Sequence, residues 1–464
     1  MTQPLSPTRR GITRRQLLGG AAAGAALLNP LSWVVPSRTD AGSGQAAVGS
    51  LKPARPEPAD AFDAGVATAW FDEVLALIRE TPGYSPPVAS RAIAYTGIAL
   101  YEAVVAGMPD HASMAGLVNS LAPLPGAGRS GAYHWPIAAN AALAEMARQL
   151  FPAAPAARRA AVDALEASHL STAPRGIRER SVEHGRAVGH AVFEWSRSDG
   201  GHEGDLHNFP ADYEPPAGPG LWVPTAPGYL PALQPLWGRN RTFLPGPPVG
   251  DPEPPIPYST DPASACFAEA HEVYSTVNTL TAEQLAIARF WADDPGTTST
   301  PPGHSVSILS GMLRERVSSL AEAAEAYARL GIAVADSFIA CWRVKYEHNL
   351  LRPITYIRDV IDPAWGEPLP VITPPFPEYT SGHSVQTAAA AAVLGAQFGE
   401  VAFVDHTHDA RGLPPRSLAS FGDAAAEAAI SRLYGGIHFR AAIDRGLVQG
   451  RLIGERVVDL PLRR

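Results

Sequence analysis

Lysine is nearly missing from this 464-residue chain: of 37 basic side chains only Lys52 and Lys345 are lysine, and all the others are arginine. A lysine kept against such a bias invites a chemical reason. Cysteine is equally scarce. Cys266 and Cys341 alone exclude a disulfide-dense scaffold and a Cys-based zinc site, and the sequence leaves open whether they pair. Positive charge is not in excess: a formal charge of −8 removes the basic footprint expected of a nucleic-acid-binding protein. Beyond the N-terminal region no apolar run reaches about 18 residues, so the mature chain is expected to have no membrane span. Strand-type alternation is almost absent. What is plentiful is proline, at 46 residues, which predicts long, stiff, irregular connections. Hydrophobic residues at 46% and charged residues at 18% exclude a wholly disordered chain.

The N-terminus has the layout of an address. Thr13-Arg14-Arg15-Gln16-Leu17-Leu18 precedes an apolar Ala/Gly-rich run to Val35, the order of charge and hydrophobicity found in secretory signals. The paired arginines before two leucines resemble a twin-arginine export motif. Residues 1–45 are therefore assigned to a signal peptide and linker, with the protein expected in the periplasm or outside the cell.

Residues 55–464 predict an all-α domain. Phe71, Val74, Leu75 and Ile78 recur at i, i+3, i+4 and i+7, one face of a helix. Further helical runs are expected at 89–106, 136–150, 154–171, 176–198, 263–278, 281–292, 302–317, 320–346, 381–398, 421–433 and 438–458. Antiparallel bundles are the natural way to bury so many amphipathic faces. Residues 200–262, crowded with Pro and Gly, predict a long ordered loop pinned by Trp222, Tyr229, Leu233, Trp237 and Phe243.

Three short segments between 345 and 444 carry the chemistry. Lys345 and Arg352 lie seven positions apart, two turns of one helix face, with Pro353 ending the helix. Two cations so placed can grip one anion. Tyr379-Thr380-Ser381-Gly382-His383-Ser384 precedes an Ala-rich helix. A hydroxyl cap there leaves free N–H groups at the positive helix end. Gly382 permits close backbone approach, and His383 can take or give a proton near neutral pH. In Ser431-Arg432-Leu433-Tyr434-Gly435-Gly436-Ile437-His438 the Gly-Gly pair lets Arg432 end one helix and His438 begin the next, facing one cavity.

Together these segments resemble the vanadium-dependent haloperoxidase and type-2 phosphatidic acid phosphatase superfamily. Its pattern is Lys-x6-Arg-Pro, Pro-Ser-Gly-His, then Ser-Arg-x5-His-x3-Asp. Trp291 to Thr297, Thr300 to His304 and Ala89 to Tyr95 look like its exported bacterial haloperoxidase-like branch. The resemblance implies two antiparallel helical bundles in one domain. It implies vanadate, or phosphate in the same site, held by Lys345, Arg352, Ser381, Gly382, Arg432 and His438. His438 would coordinate vanadium, His383 would move protons, Lys345 would act as a catalytic point charge, and Phe376 would shape a halide pocket. The implied partners are hydrogen peroxide, halide and a small organic acceptor; the oligomeric state stays open. An acid phosphatase with a His438 nucleophile and a non-catalytic oxyanion-binding protein are the alternative readings. Two positions depart from the pattern: Thr380 replaces Pro, and Ala442 stands where the family has the Asp that orients the histidine. Asp444 is off that helix face and could substitute only with a bend; a backbone carbonyl or a distant acid could serve instead. Asp405, His406, His408 and Asp409 look like metal ligands, but with no third element evident they suggest a solvated loop; His304 could line the cleft but suggests a structural residue, and Asp293 or Asp294 a partner for a site arginine.

Overall fold

A computed structural model of the chain describes residues 57–464 apart from 129–130, 171–172, 247–249 and 367–368. The assigned signal peptide lies outside the described residues. Helices dominate because apolar residues recur at helical spacing and because alanine and small residues permit close packing.

The first half builds α1 (Gly65–Glu80), α2 (Pro86–Val104), α3 (Trp135–Leu150), α4 (Ala156–Ser168) and α5 (Arg175–Ser196). After the long loop come α6 (Ala265–Asn278), α7 (Ala282–Phe290), α8 (Thr300–Glu315) and α9 (Leu320–His348). The remainder comprises α10 (Pro353–Val360), α11 (Gly382–Phe398), α12 (Phe421–Tyr434) and α13 (Arg440–Val458). A short antiparallel pair, β1 (Phe403–Asp405) and β2 (Arg416–Leu418), joins Asp405 to Arg416. The pattern of the sequence does not reveal that hairpin or the one-helix insertion α10.

Helix α9 runs through the middle. It begins with a capping box, Ser319 with Glu322, and is buried along nearly its whole length. On one side it packs against α2, on the other against α11 and α13. Glycine makes the α2–α9 crossing possible: a Cβ on Gly97 would sit 2.6 Å from the Tyr327 carbonyl, and one on Gly331 would sit 2.7 Å from Ala94 Cα. Helix α2 is apolar enough to cross a membrane by composition, but it is buried among its neighbours as a core helix.

The loop at 200–262 is irregular, with two single 3-10 turns at Gly204–Leu206 and Trp237–Arg239. Trp222, Leu233, Trp237 and Phe243 are buried as expected, whereas Tyr229 is 65% exposed and is no anchor. Both cysteines are free and buried.

Candidate active site

The Lys345–Arg352 segment differs from the single helix face predicted for it. Helix α9 stops at His348 because Asn349 takes a left-handed conformation (φ 45°), and a residue before proline disfavours the helical region. Arg352 instead caps α10, with Pro353 in its first turn. Both cations still converge on one loop, residues 376–380. Arg352 Nε donates to the Phe376 carbonyl at 2.8 Å, and Lys345 Nζ donates to those of Pro377 at 3.0 Å and Glu378 at 2.9 Å, and also to Thr380. An ammonium has three N–H donors, so Lys345 spends all of them on backbone carbonyls. It does not line the cavity described below. It stiffens the loop and contributes charge from behind it.

Ser381 is the N-cap of α11, accepting from Ser384 N at 3.4 Å, and Gly382 is the first helical residue. Arg432 lies in the last turn of α12, and the left-handed Gly436 (φ 77°) turns the chain so that His438 precedes α13. A cavity of about 130 Å³ is lined by Gly382, His383, Arg432 and His438, together with Phe376, Trp342 and the 292–295 turn. Lys345, Arg352 and Ser381 are fully buried around it. The Phe376 ring lies against both buried cations, with Lys345 Nζ 5.1 Å and the Arg352 guanidinium 4.9 Å from its centre. Outside, the walls at Leu233, Asp294, Ile372 and Pro374 are shared with a wide, largely apolar vestibule of about 1210 Å³.

His438 settles the question raised by Ala442. Its Nδ1 lies 2.8 Å from Glu378 Oε1, and the same oxygen accepts from Phe439 N at 2.9 Å. An oxygen already accepting a backbone N–H is an acceptor for the ring as well, so Nδ1 carries the proton. Nε2 then presents its lone pair, with Arg352 Nη1 at 3.3 Å. Burial holds the imidazole well below its ordinary pKa, reinforced by Arg352 and Lys345. Burial also raises the Glu378 carboxyl to about 8, against the pull of Lys345 and Arg352. The acid that orients His438 therefore comes from the loop before the motif rather than from four residues after the histidine. Glu378 is fully buried, and its only signal in the sequence is an acid inside an otherwise apolar Pro-rich segment.

Arg432 donates to the Trp291 carbonyl at 2.5 Å and to Ser431 Oγ at 2.9 Å. Burial lowers the Arg432 guanidinium to about 10, and Asp293 and Asp294 both oppose that shift; burial in turn raises the Asp294 carboxyl and Arg432 opposes the rise. Burial lowers His383 well below 6.5, with Arg432 adding to the effect. Arg352 Nη2, His383 Nε2 and Glu378 Oε2 are buried here without a hydrogen-bond partner among the described residues. Buried donors are seldom left unpaired. Two arginines, one with the unpaired donor Arg352 Nη2, and a helix N-terminus beside a small cavity fit a tetrahedral oxyanion.

The loop at 405–409 is not wholly solvated. Asp405 and His408 are buried, and only His406 and Asp409 stay outside, paired at 2.8 Å. His304 is buried between Asp293 and Asp405.

Residues 325–463 match the family described as the VCPO second helical-bundle domain. No curated protein sequence matches the chain. Among solved structures, the chain is similar to the first bacterial vanadium-dependent iodoperoxidase, with 36% identity and a TM-score of 0.79 over 87% of this chain and 98% of that one. A holo-type bacterial vanadium-dependent chloroperoxidase matches at 18% identity and a TM-score of 0.62, over 82% of this chain and 93% of that one. An apo-type bacterial chloroperoxidase matches at 18% identity and 0.64, over 87% and 98%.

Proposed function

The chain belongs to the vanadium-dependent haloperoxidase family, and from that premise we propose that it oxidises halide with hydrogen peroxide to a hypohalous-acid equivalent, using bound vanadate. The observation that carries this reading is the tautomer of His438: Nδ1–H is committed to Glu378, and the unprotonated Nε2, which faces Arg352 Nη1 at 3.3 Å, is left with its lone pair for a metal at the edge of an oxyanion-sized cavity.

Vanadate, when bound, supplies a Lewis-acidic centre at which peroxide becomes open to attack by halide. His438 Nε2 would hold the vanadium. Arg352 Nη2 and Arg432 would donate charge-assisted bonds to its oxygens, with Ser381 Oγ–H and the Gly382 N–H at the α11 terminus. Lys345 keeps the 376–380 loop in place and adds positive potential. The unpaired Nε2 of His383, on a ring kept neutral, can accept a proton from peroxide as it enters and return it to a leaving oxygen. Phe376 forms the wall where halide would approach. A small organic acceptor meets the oxidised halogen in the apolar vestibule. The same oxyanion cradle accommodates phosphate.

We also propose export through the twin-arginine route, supported by Arg14-Arg15-Gln16-Leu17-Leu18; fusing residues 1–45 to a reporter tests it.

The decisive assay adds vanadate to the metal-free chain and follows monobromodimedone halogenation with peroxide and each halide, iodide first. Vanadate-dependent turnover is expected. Vanadate bound without turnover overturns the proposal, and phosphatase activity that vanadate inhibits would establish the His438-nucleophile reading instead.

A further inference from the structure

Behind the cavity wall formed by Ala292 to Pro295 lies a buried charge cluster that the chemistry above does not use. His304, on α8, is 2% exposed. Its Nδ1 is 2.8 Å from Asp293 Oδ2 and its Nε2 is 2.7 Å from Asp405 Oδ2. Carboxylates accept, so both ring nitrogens carry protons and the ring is an imidazolium. Burial opposes that charge, but the two carboxylates outweigh it and lift the pKa to about 10. His408 Nε2 stands 3.3 Å from Asp293 Oδ1, off the line of a hydrogen bond.

Asp293, His304 and His408 bring ligating atoms within 4.8 Å of one another, but the hydrogen bonds argue against a metal. His304 has no lone pair left for one. His408 Nδ1 faces the Arg411 guanidinium at 3.3 Å, so that nitrogen is the acceptor and Nε2 keeps the proton. A ligating histidine shows the opposite arrangement.

The cluster instead holds a turn. Trp291 stacks on His304, centroids 4.4 Å apart and 15° from parallel. The Trp291 carbonyl is the acceptor for Arg432. Asp293 takes a left-handed φ of 50°, a conformation Asp adopts more readily than most residues with a Cβ, and His304 holds its carboxylate at 2.8 Å. Asp294 follows it into the cavity wall beside Arg432.

We propose that His304 is a positioning residue for the oxyanion site: its imidazolium clamps the 291–295 turn between α8 and β1 and thereby keeps Arg432 aimed at the bound oxyanion. The proposal rests on the oxyanion-binding reading and holds for vanadate and phosphate alike.

The test measures binding of inorganic phosphate and of vanadate to the metal-free chain by calorimetry, alongside thermal unfolding. Wild-type protein that binds neither anion removes the oxyanion reading, and the proposal with it. His304→Gln, folded by circular dichroism, is expected to weaken phosphate binding about tenfold, in the range that residues orienting an anion's or metal's ligands command. Unchanged affinity in that folded variant overturns the proposal alone. The double variant His304→Gln/Asp405→Asn replaces the ion pair with an amide pair and leaves Asp293 loose. It should recover Tm without recovering affinity; affinity that simply follows Tm means a merely structural role. If His304→Gln does not fold, Asp293→Asn keeps the shape and removes the charge. It should weaken phosphate about threefold, less than loss of the ring because one acceptor remains, and no change overturns the proposal. Nitrogen NMR at about pH 8 should show both His304 ring nitrogens protonated; a neutral ring also refutes it.

Discussion

Removing the carboxyl of Glu378 is the sharpest perturbation the site offers. Glu378→Ala deletes the acceptor 2.8 Å from His438 Nδ1 and 2.9 Å from Phe439 N. The ring is then free to flip or to carry its proton on Nε2, which no longer ligates. Partners of this kind are typically worth ~10–100-fold in metal affinity, or about 1.4–2.8 kcal/mol at 1.4 kcal/mol per decade. The buried Phe439 N–H left unpaired costs stability of about 1–3 kcal/mol in addition. Glu378→Gln keeps an oxygen for both N–H groups and should lose less than about threefold. The rescue is specific. A cavity of about 20 Å³ already lies between Glu378, Phe439 and Ala442, so Glu378→Ala/Ala442→Asp moves the acid to the position the family uses and should restore most of the affinity. In the wild-type background Ala442→Asp should bring no gain, because it buries a second carboxylate beside the first. Vanadate titration by calorimetry, with the His438 tautomer followed by nitrogen NMR, reads all four variants. A folded Glu378→Ala with wild-type affinity and an unchanged tautomer would falsify the argument.

Lys345→Met should lower Tm markedly as well as turnover, since it strips donors from three buried carbonyls at about 1–3 kcal/mol each; a variant that loses turnover at unchanged Tm would show that the loop does not need the clamp. Lys345→Arg, with a planar fork instead of three radiating donors, should also lose both. For His304, whose folded pKa lies above its unfolded value, the native state binds the extra proton between about pH 6.5 and 10. Its stabilisation is thus complete below about pH 6.5 and is lost as pH rises through about 10. Wild-type Tm should fall across that window and His304→Gln should flatten the slope; equal slopes refute the charge. Because His304 keeps no lone pair, a strong chelator should leave the Tm of the vanadate-free chain unchanged, and a clear drop would mean a metal sits among Asp293, His304 and His408. Phe376→Ala should raise the halide KM more than it weakens vanadate, and an effect confined to vanadate would place halide elsewhere.

Local periodicity was enough to locate nearly every long helix, and cap chemistry located the Ser381 and Gly435-Gly436 turns. Position 352 was misread because helical arithmetic assumed an unbroken helix, while the left-handed Asn349 and the constraint before Pro353 ended it early. Glu378 could not be found from spacing: its bond to His438 spans 60 positions, and an acid in a proline-rich loop ordinarily points to water. The clamp at His304 draws on three segments, 293, 304 and 405, whose meeting depends on how α8 packs beside a hairpin that leaves almost no pattern. Polar residues in such loops look solvated until tertiary packing is known.

Helix α9 has a mechanical consequence. Its 29 residues reach about 43 Å, and it serves as the inner wall of both bundles: its early and middle part locks against α2 through Gly331 and Gly97, and its final turn carries Lys345 to the active loop. A fragment starting inside α9 would inherit the chemistry but expose the apolar flank that α2 normally covers. The two bundles therefore share one fate. Heat should melt them in a single calorimetric transition, and a methyl group added at Gly331, far from any reacting atom, should lower the temperature at which the oxyanion cradle is lost.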